Sequence, residues 1–337
     1  MNTRTPLIVW AVDPFEPETQ IGLEELKLVK FWANARGAAL LPVYVASPPG
    51  HLLEEGRVDE VKTFVKGMQS AVQSYLQRLG AESYSTPQIL INAKGTTREA
   101  AESLLHFVAQ EDVQVILVST RGKAGLARSL FGSFAETLVA QANVPIFFLA
   151  HASTIDRPAD RECTRILFAT DFSKNSHRTF QTLLRRLPEV DASCAHSIHI
   201  FHAFTYPTLA ASGMAMMGAT PQVPEAFIEE QKNLLTAEGS QWVHEAQAAG
   251  IAADFRLFDR LGGLDTAEAI LEAATQAKCN WIAMAAESGP LKAGLLGSVA
   301  RGVFRAHRFP VWICGPTLLR EDSPRNSFLT TPGAMLI

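Results

Sequence analysis

Residues 119–133 combine glycines, hydroxyls and positive charges in a spacing that suits the binding of an anion. The stretch reads Ser-Thr-Arg-Gly-Lys-Ala-Gly-Leu-Ala-Arg-Ser-Leu-Phe-Gly-Ser. Glycine lets a backbone turn sharply and approach a ligand closely. Gly132 and Ser133 precede a segment with helical spacing, so their free N–H groups would favour a phosphate. Three cations accompany them: Arg121, Lys123 and Arg128. Because short glycine patterns also match by chance, an ordinary connecting loop is the alternative interpretation.

This loop is predicted to join a strand to a helix in a chain where the two alternate. Strands are predicted at residues 7–12, 39–45, 88–92, 113–118 and 144–149, with helices at 23–33, 57–79, 100–110 and 134–141. Thr96 and Glu99 have the spacing of a capping box at the start of the third helix. Such alternation favours a parallel sheet covered by helices on both faces, the α/β class.

The same order of elements begins again after residue 163. Strands are predicted at 165–171, 197–204, 253–258, 280–285 and 309–314, with a long helix at 231–249 and a second cap at 265–268. In both halves the glycine of a Gly-Ser pair lies thirteen residues before the proline of the last strand. An internal duplication follows. We predict a first domain at residues 1–150, a linker at 151–163, a second domain at 164–316 and a tail at 317–337.

The composition is that of a globular protein without a dedicated nucleic-acid or membrane surface. The 337 residues are 47% hydrophobic and 19% charged, and the formal net charge is −4. Basic residues form no block, which argues against a nucleic-acid partner. The apolar runs are far too short to span a bilayer, so a cytoplasmic location is the expectation.

At this point the motifs resemble those of the universal stress protein family in its tandem two-domain form. Nucleotide-binding members carry G-x2-G-x9-G-[ST] after the fourth strand. In this sequence the pattern falls on Ser119, Gly122, Gly132 and Ser133, with serine in place of the first glycine. The family's adenine-contacting aspartate falls on Asp13 and its hydrophobic adenine contact on Val45.

The resemblance implies two flavodoxin-like, or Rossmann-like, domains, each a five-stranded parallel sheet with helices on both faces, forming a pseudo-dimer within one chain. It further implies a stress-response regulator that binds ATP, with or without Mg²⁺, or another adenine nucleotide in its first domain. Arg121 and Lys123 join the motif residues as predicted contacts. The second domain is expected to be degenerate, because Glu287 stands near the position of Arg121 and would repel a triphosphate. An unknown protein partner and a homodimer remain open.

Other chemistries have weaker support in the sequence. Neither a G-x-S-x-G elbow nor a G-x4-G-K-[ST] loop occurs, so turnover is not expected as the main role, although slow ATP hydrolysis is compatible with the first domain. His196, His199 and His202 alternate along a strand and are not expected to converge on a metal. The alternative function is a nucleotide-free scaffold, or a binder of hydrophobic ligands through the methionine-rich residues 205–224.

Overall fold

The structure is a computed structural model of the chain. It describes residues 5–15, 26, 28–30, 32, 38–54, 57–81, 85–119, 133–149, 164–187, 196–204, 224–259, 265–286 and 296–319.

Ten strands of the described residues form one sheet in the order β3-β2-β1-β4-β5-β10-β9-β6-β7-β8. In the first half they are β1 Leu7–Ala11, β2 Ala39–Ala46, β3 Gln88–Ile91, β4 Val113–Ser119 and β5 Ile146–Leu149. In the second half they are β6 Arg165–Ala169, β7 Ser197–Phe204, β8 Ala252–Asp259, β9 Trp281–Ala285 and β10 Val311–Cys314. Within each half all pairings are parallel, and β5 pairs antiparallel with β10. The predicted α/β fold is confirmed, with five parallel strands in each half, and the two sets of strands are joined into one ten-stranded sheet.

Helices connect the strands. They are α1 Val58–Arg78, α2 Thr97–Gln110, α3 Ser133–Gln141, α4 Lys174–Arg186, α5 Glu225–Ala248, α6 Thr266–Gln276, α7 Ser298–Ala306 and the short α8 Pro316–Leu319. Between β1 and β2, residues 26, 28–30 and 32 are also helical. A 3₁₀ helix at Gly50–Leu53 was not predicted, and α8 occupies the start of the predicted tail, with Leu319 buried. Within the described part of the chain, none of the helices combines the length and the hydrophobicity that a membrane span requires.

Two hydrophobic cores cover the two faces of the sheet, and each runs through both halves. Ile8 and Phe168 belong to one core, while Val9 and Leu167 belong to the other. Neighbouring residues alternate between the cores because strand side chains point to opposite faces. The sequences of β1 and β6 are nearly all apolar because, in a parallel sheet buried on both faces, every strand side chain lies in one of the two cores.

The joint between the halves packs closely on both faces of the sheet. On one face Phe147 of β5 meets Trp281 of β9 at a ring distance of 5.4 Å, and on the other Phe148 meets Phe304 of α7 at 4.9 Å. Gly315, which follows β10, lies so close to α3 that an added Cβ would be 1.8 Å from the carbonyl oxygen of Val139. The chain is thus a pseudo-dimer with one continuous sheet, while the predicted domain boundaries stay predictions.

Candidate functional site

Each half of the sheet has a point where the strand order reverses. In the first half it lies between β1 and β4, and in the second between β6 and β9. Ligands of open α/β sheets bind outside the carboxyl ends of the strands at such points, because the connecting loops diverge there and leave a crevice. The residues that follow these strands are therefore the first candidates for a site.

Three of the predicted site residues lie at this edge of the first half. Asp13 follows β1, Val45 is the last residue but one of β2, and Ser119 ends β4. Since β1 pairs with both β2 and β4, the three strand ends are adjacent. All three residues are partly buried.

Asp13 has a structural role in its own turn. Its Oδ1 accepts a hydrogen bond from the backbone N–H of Phe15 at 3.0 Å, which is the geometry of an Asx turn. In the second half, Oδ1 of Asp171 accepts from the N–H of Ser173 at the same distance. Each of these bonds uses one of the two carboxylate oxygens.

Tyr44 is a neighbour of Asp13 that the sequence did not reveal. Burial, and then the negative charge of Asp13, raise the pKa of the Tyr44 phenol above its usual range. The Tyr44 ring meets Phe15 at a centroid distance of 6.0 Å. No motif marks Tyr44, because its place beside Asp13 depends on the register of β1 against β2, in which Ala11 pairs with Val43.

The N-termini of α2 and α3 meet at the same edge. Oγ1 of Thr97, the first residue of α2, lies 2.5 Å from Oγ of Ser133, the first residue of α3. Because the N-terminus of a helix carries unpaired N–H groups and the positive end of its dipole, two of them side by side favour an anion. Ser133 is thus placed as predicted, at the start of a helix.

The turn before α2 is held by Asn92, a buried side chain that the sequence marked only as the end of a strand. It donates to Oγ of Ser47 at 3.1 Å and to the carbonyl of Thr96 at 2.9 Å, and it accepts from the N–H of Gly95 at 3.1 Å. Gly95 has φ +72°, a conformation that favours glycine. The turn therefore fixes where α2 begins.

The predicted caps of α2 and α6 differ in the structure. Oγ1 of Thr96 accepts from the N–H of Glu99 at 3.2 Å, as predicted, but the Glu99 carboxylate accepts from the N–H of Lys94 instead of Thr96. Asp265 is the N-cap residue of α6, yet its side chain makes no capping hydrogen bond. The prediction of a second cap was therefore wrong in its chemistry and right in its position.

Four predicted contacts and the acidic position of the second half lie outside the described residues. They are Arg121, Gly122, Lys123, Gly132 and Glu287. The methionine-rich residues 205–223 lie outside them as well. Their predicted roles stay predictions.

A cavity of about 450 Å³ lies at the switch point of the second half. Residues at the carboxyl ends of β6, β7 and β9 and at the N-termini of α6 and α7 line it, together with Ser176 and Leu235 from α4 and α5. Its polar side chains are Thr170, Asp171, Ser176, His202, Thr266 and Ser298. The volume is that of a small-molecule pocket. The sequence had favoured the first half, so a formed cavity in the second half was missed.

His202 of β7 is the main titratable base of this cavity. Its Nδ1 lies 2.8 Å from the carbonyl oxygen of Thr170. Since a carbonyl only accepts, Nδ1 carries the proton and Nε2 of the neutral ring is an acceptor. Burial lowers the pKa of His202, although the Thr170 hydrogen bond and the charges of Asp171 and Glu238 act in the opposite direction.

The turn after β6 is fixed by hydroxyl and ring contacts. Oγ1 of Thr170 accepts from the N–H of Phe172 and from the hydroxyl of Ser176, both at 2.9 Å. Phe172 has φ 57°, an uncommon conformation for a residue with a side chain. Its ring packs 5.0 Å from His202 and 5.2 Å from Trp242, which holds the turn in place.

The two histidines of β7 have separate partners: Nδ1 of His199 pairs with Oδ2 of Asp254 at 2.7 Å, and His202 bonds to Thr170. His196, which precedes the strand, is buried. Among the described residues, no group of three metal-ligating side chains comes together.

Comparison with known proteins agrees with the duplicated fold. The model of the Universal stress protein family matches residues 8–149 and again residues 162–315. A universal stress protein from Archaeoglobus fulgidus DSM 4304 is 16% identical, with a TM-score of 0.50 and coverage of 92% of this chain and 98% of that one. A protein of unknown function from Pseudomonas aeruginosa PAO1 is also 16% identical, with a TM-score of 0.55 and 94% of each chain covered. These likenesses concern the fold. No curated protein matches the chain.

Proposed function

Because the chain belongs to the universal stress protein family, we propose that it is a stress-response regulator that binds ATP or another adenine nucleotide in its first half. The observation that carries the proposal is the contact between Thr97 and Ser133, which brings two helix N-termini together at the carboxyl edge of the sheet. Two positive dipole ends and their free N–H groups suit the phosphates of a nucleotide.

The charges of the adjoining sequence support the same ligand. Residues 120–132 contain Arg121, Lys123 and Arg128 and no acidic residue. Three positive charges before a helix N-terminus favour a polyphosphate over a neutral molecule. At the neighbouring ends of β1 and β2, Asp13 and Tyr44 offer a carboxylate and a phenol to the donors of a base or a ribose.

The contacts of α3 suggest how nucleotide binding in the first half would affect the second half. The N-terminus of α3 is the proposed phosphate site, and its last turn touches the segment after β10. Thr317 donates to the carbonyl of Ala140 at 2.8 Å, and Gly315 packs against Val139. Leu319 in turn accepts from Arg178 of α4 at 2.8 Å. A ligand that favours one position of α3 therefore biases these contacts, which is regulation by binding and not by turnover.

The test is native mass spectrometry of the purified protein, joined to a melting scan with ATP and Mg²⁺. We expect bound adenine nucleotide or a rise in melting temperature, since a ligand that binds only the folded state stabilises it. Thr97→Val should weaken the binding of ATP about fivefold to tenfold, because it removes one hydroxyl and disturbs the start of a helix. The matched control is Thr63→Val, since Oγ1 of Thr63 bonds only its own helix, at the carbonyl of Asp59.

Two results would contradict the proposal. The absence of both a bound nucleotide and a melting shift would favour the alternative function, a scaffold or a binder of hydrophobic ligands. Phosphate release that Gly132→Val abolishes would identify a hydrolase instead.

A further inference from the structure

The ten-stranded sheet ends at β3 on one side and at β8 on the other. These outer strands differ in length, because β3 has four residues and β8 has eight. All eight residues of β8 pair with β7, and no strand of the described residues pairs with its other side. A short outer strand limits pairing with a further strand, whereas a long one offers a row of unpaired backbone groups. β8 is therefore the outer strand that can accept a further strand.

The hydrogen bonds of β7 show how its backbone groups are divided between its two neighbours. Ser197 donates to the carbonyl of Thr164, and Phe201 accepts from the N–H of Thr170. The odd-numbered residues of β7 therefore direct their backbone groups toward β6. The even-numbered residues of β7 direct theirs toward β8, because the groups of successive strand residues point to opposite sides.

The register then identifies the backbone groups of β8 that point away from the sheet. The even-numbered residues of β7 have Ala253, Phe255 and Leu257 as their register partners. In a parallel ladder a residue bonds to the two neighbours of its register partner. Asp254 and Arg256 therefore bond to β7, and the N–H and C=O groups of the three register partners point outward.

Two exposed side chains of opposite charge lie on one face of β8. Asp254 and Arg256 are two positions apart, so their side chains share a face, while Phe255 points to the other face, against α5. Oδ2 of Asp254 pairs with His199 at 2.7 Å, and Arg256 donates to Oε1 of Gln276 at 3.0 Å. The Asp254 side chain is nonetheless 63% exposed, so its charge remains accessible to a partner.

A second copy of the chain complements this strand. When two β8 strands pair antiparallel about a two-fold axis at Phe255, the outward groups of Ala253 meet those of Leu257 of the second copy. Asp254 then lies opposite Arg256 of the second copy, and the reverse pair forms on the other side of the axis. These are the non-hydrogen-bonded positions, where facing side chains approach most closely.

The neighbouring registers are disfavoured by the same charges. A shift of two residues in one direction places Asp254 opposite Asp254 of the second copy, and a shift in the other direction places Arg256 opposite Arg256. Like charges that face each other destabilise a strand pair. A shift of one residue places outward backbone groups opposite inward ones. The sequence of β8 therefore selects the register centred on Phe255.

We propose that the chain forms a homodimer in which the β8 strands of two copies pair antiparallel and join their sheets into one. The contact is isologous, since the same strand serves on both sides of the two-fold axis. It lies along the side of the sheet and not at the carboxyl ends of the strands, so it does not depend on the nucleotide proposed for the first half.

The test is analytical ultracentrifugation of the full chain over a range of concentrations. The wild type should sediment as a dimer that dissociates on dilution. Asp254→Arg leaves two arginines on the strand and Arg256→Asp leaves two aspartates, so each variant alone places like charges opposite each other. We expect the dissociation constant of each variant to rise at least about tenfold.

An equimolar mixture of the two charge variants provides the decisive comparison. In a dimer with one copy of each, opposite charges face each other again at both positions, so the mixture should dimerise nearly as tightly as the wild type. A loss caused only by the missing contacts to His199 or Gln276 would not be restored by mixing. The matched control is Asp59→Arg, which makes the same change of charge on α1, where the Asp59 side chain is 95% exposed. It should leave the dimer unchanged.

Ala253→Pro tests the backbone pairing. Proline removes the outward N–H of residue 253 and leaves the hydrogen bonds to β7 in place, which is how an outer strand tolerates proline. We expect the dimer to weaken about tenfold while the circular dichroism of the variant stays that of the wild type.

Three results would overturn the proposal. The first is a wild type that stays monomeric up to about 100 μM, which would leave β8 open to a strand of another protein. The second is a dimer that withstands Ala253→Pro and both charge variants, since the copies would then meet through a different surface. The third is a mixture of the charge variants that stays as weakly associated as either variant alone.

Discussion

The two carboxyl edges of the sheet share their order of elements and differ in side-chain chemistry. Both begin with an aspartate turn, at Asp13 and Asp171, with identical hydrogen-bond lengths of 3.0 Å. Both continue with a strand of eight residues and a helix that starts at a serine. The loops between differ in sequence charge, with three cations and no acid in residues 120–132 against one of each in 287–295.

This difference separates the features that the fold requires from those that would determine which ligand binds. The aspartate turns serve the backbone in both halves, so an aspartate there does not by itself indicate a bound base. Tyr44 and His202 occupy the same place on β2 and β7, yet one is a phenol and the other a neutral imidazole acceptor. The proposed ligand preference therefore rests on the loops and on these two positions, not on the duplicated frame.

The largest expected effect comes from Gly315→Ala, which acts where the halves are joined. A Cβ would lie 1.8 Å from the Val139 carbonyl oxygen, and a backbone atom cannot move aside as a side-chain tip can. We expect a loss of about 3 kcal/mol or more in the free energy of unfolding, the upper range for overpacking. Urea denaturation measures it.

The control is Gly67→Ala in the exposed part of α1, where an added Cβ meets nothing within 4 Å. Alanine should stabilise this helix by about 0.5 to 1 kcal/mol. Since both cores run through both halves, Gly315→Ala should shift one common unfolding transition. A transition that splits, with the second half alone affected, would show that the halves are independent.

The next effect is a reciprocal exchange of loop charge. Lys123→Glu changes the net charge of residues 120–132 from three positive charges to one. Glu287→Lys changes the net charge of residues 287–295 from zero to two positive charges. The first change should weaken ATP binding about tenfold to a hundredfold, the scale of a lost hydrogen bond between charged groups. The second change should strengthen the binding of AMP by the second half. Titration of each variant with both nucleotides measures the exchange.

Lys62→Glu is the control for overall charge, because Lys62 lies on the exposed face of α1 beside Asp59. It changes the net charge by the same amount as Lys123→Glu. Equal weakening by both variants would mean that the overall field, and not the loop, attracts the nucleotide.

The comparison also shows how far the sequence alone can lead. The strands, their order along the chain and the duplication follow from local periodicity and repeated spacing, as β1 and β6 illustrate. The place of Tyr44 beside Asp13, and of His202 beside Thr170, depends on strand register, which joins residues about thirty positions apart. The close packing of Gly315 could not be predicted for the same reason, since nothing near it in the sequence reveals that Val139 lies against it.

The smallest expected effect is a pH dependence that comes from His202 in the second half. The pKa of His202 is lowered by burial, so its neutral form is favoured in the folded state. Its contribution to stability is complete above about pH 6.5, the ordinary pKa of histidine, and is lost as the pH falls through the lowered value. Tyr44, at the equivalent place, has its pKa raised and does not titrate in this range.

Urea denaturation between pH 7.5 and 5 should therefore show a steeper loss of stability for the wild type than for His202→Phe, by about 1.4 kcal/mol for each unit of pKa shift. The difference between the two proteins cancels the other histidines, which both contain. Tyr44→Phe should leave the slope unchanged. Parallel slopes for the wild type and His202→Phe would mean that the imidazole is as easily protonated in the folded chain as in the unfolded one, and the second edge would then lose the neutral acceptor that distinguishes it from the first.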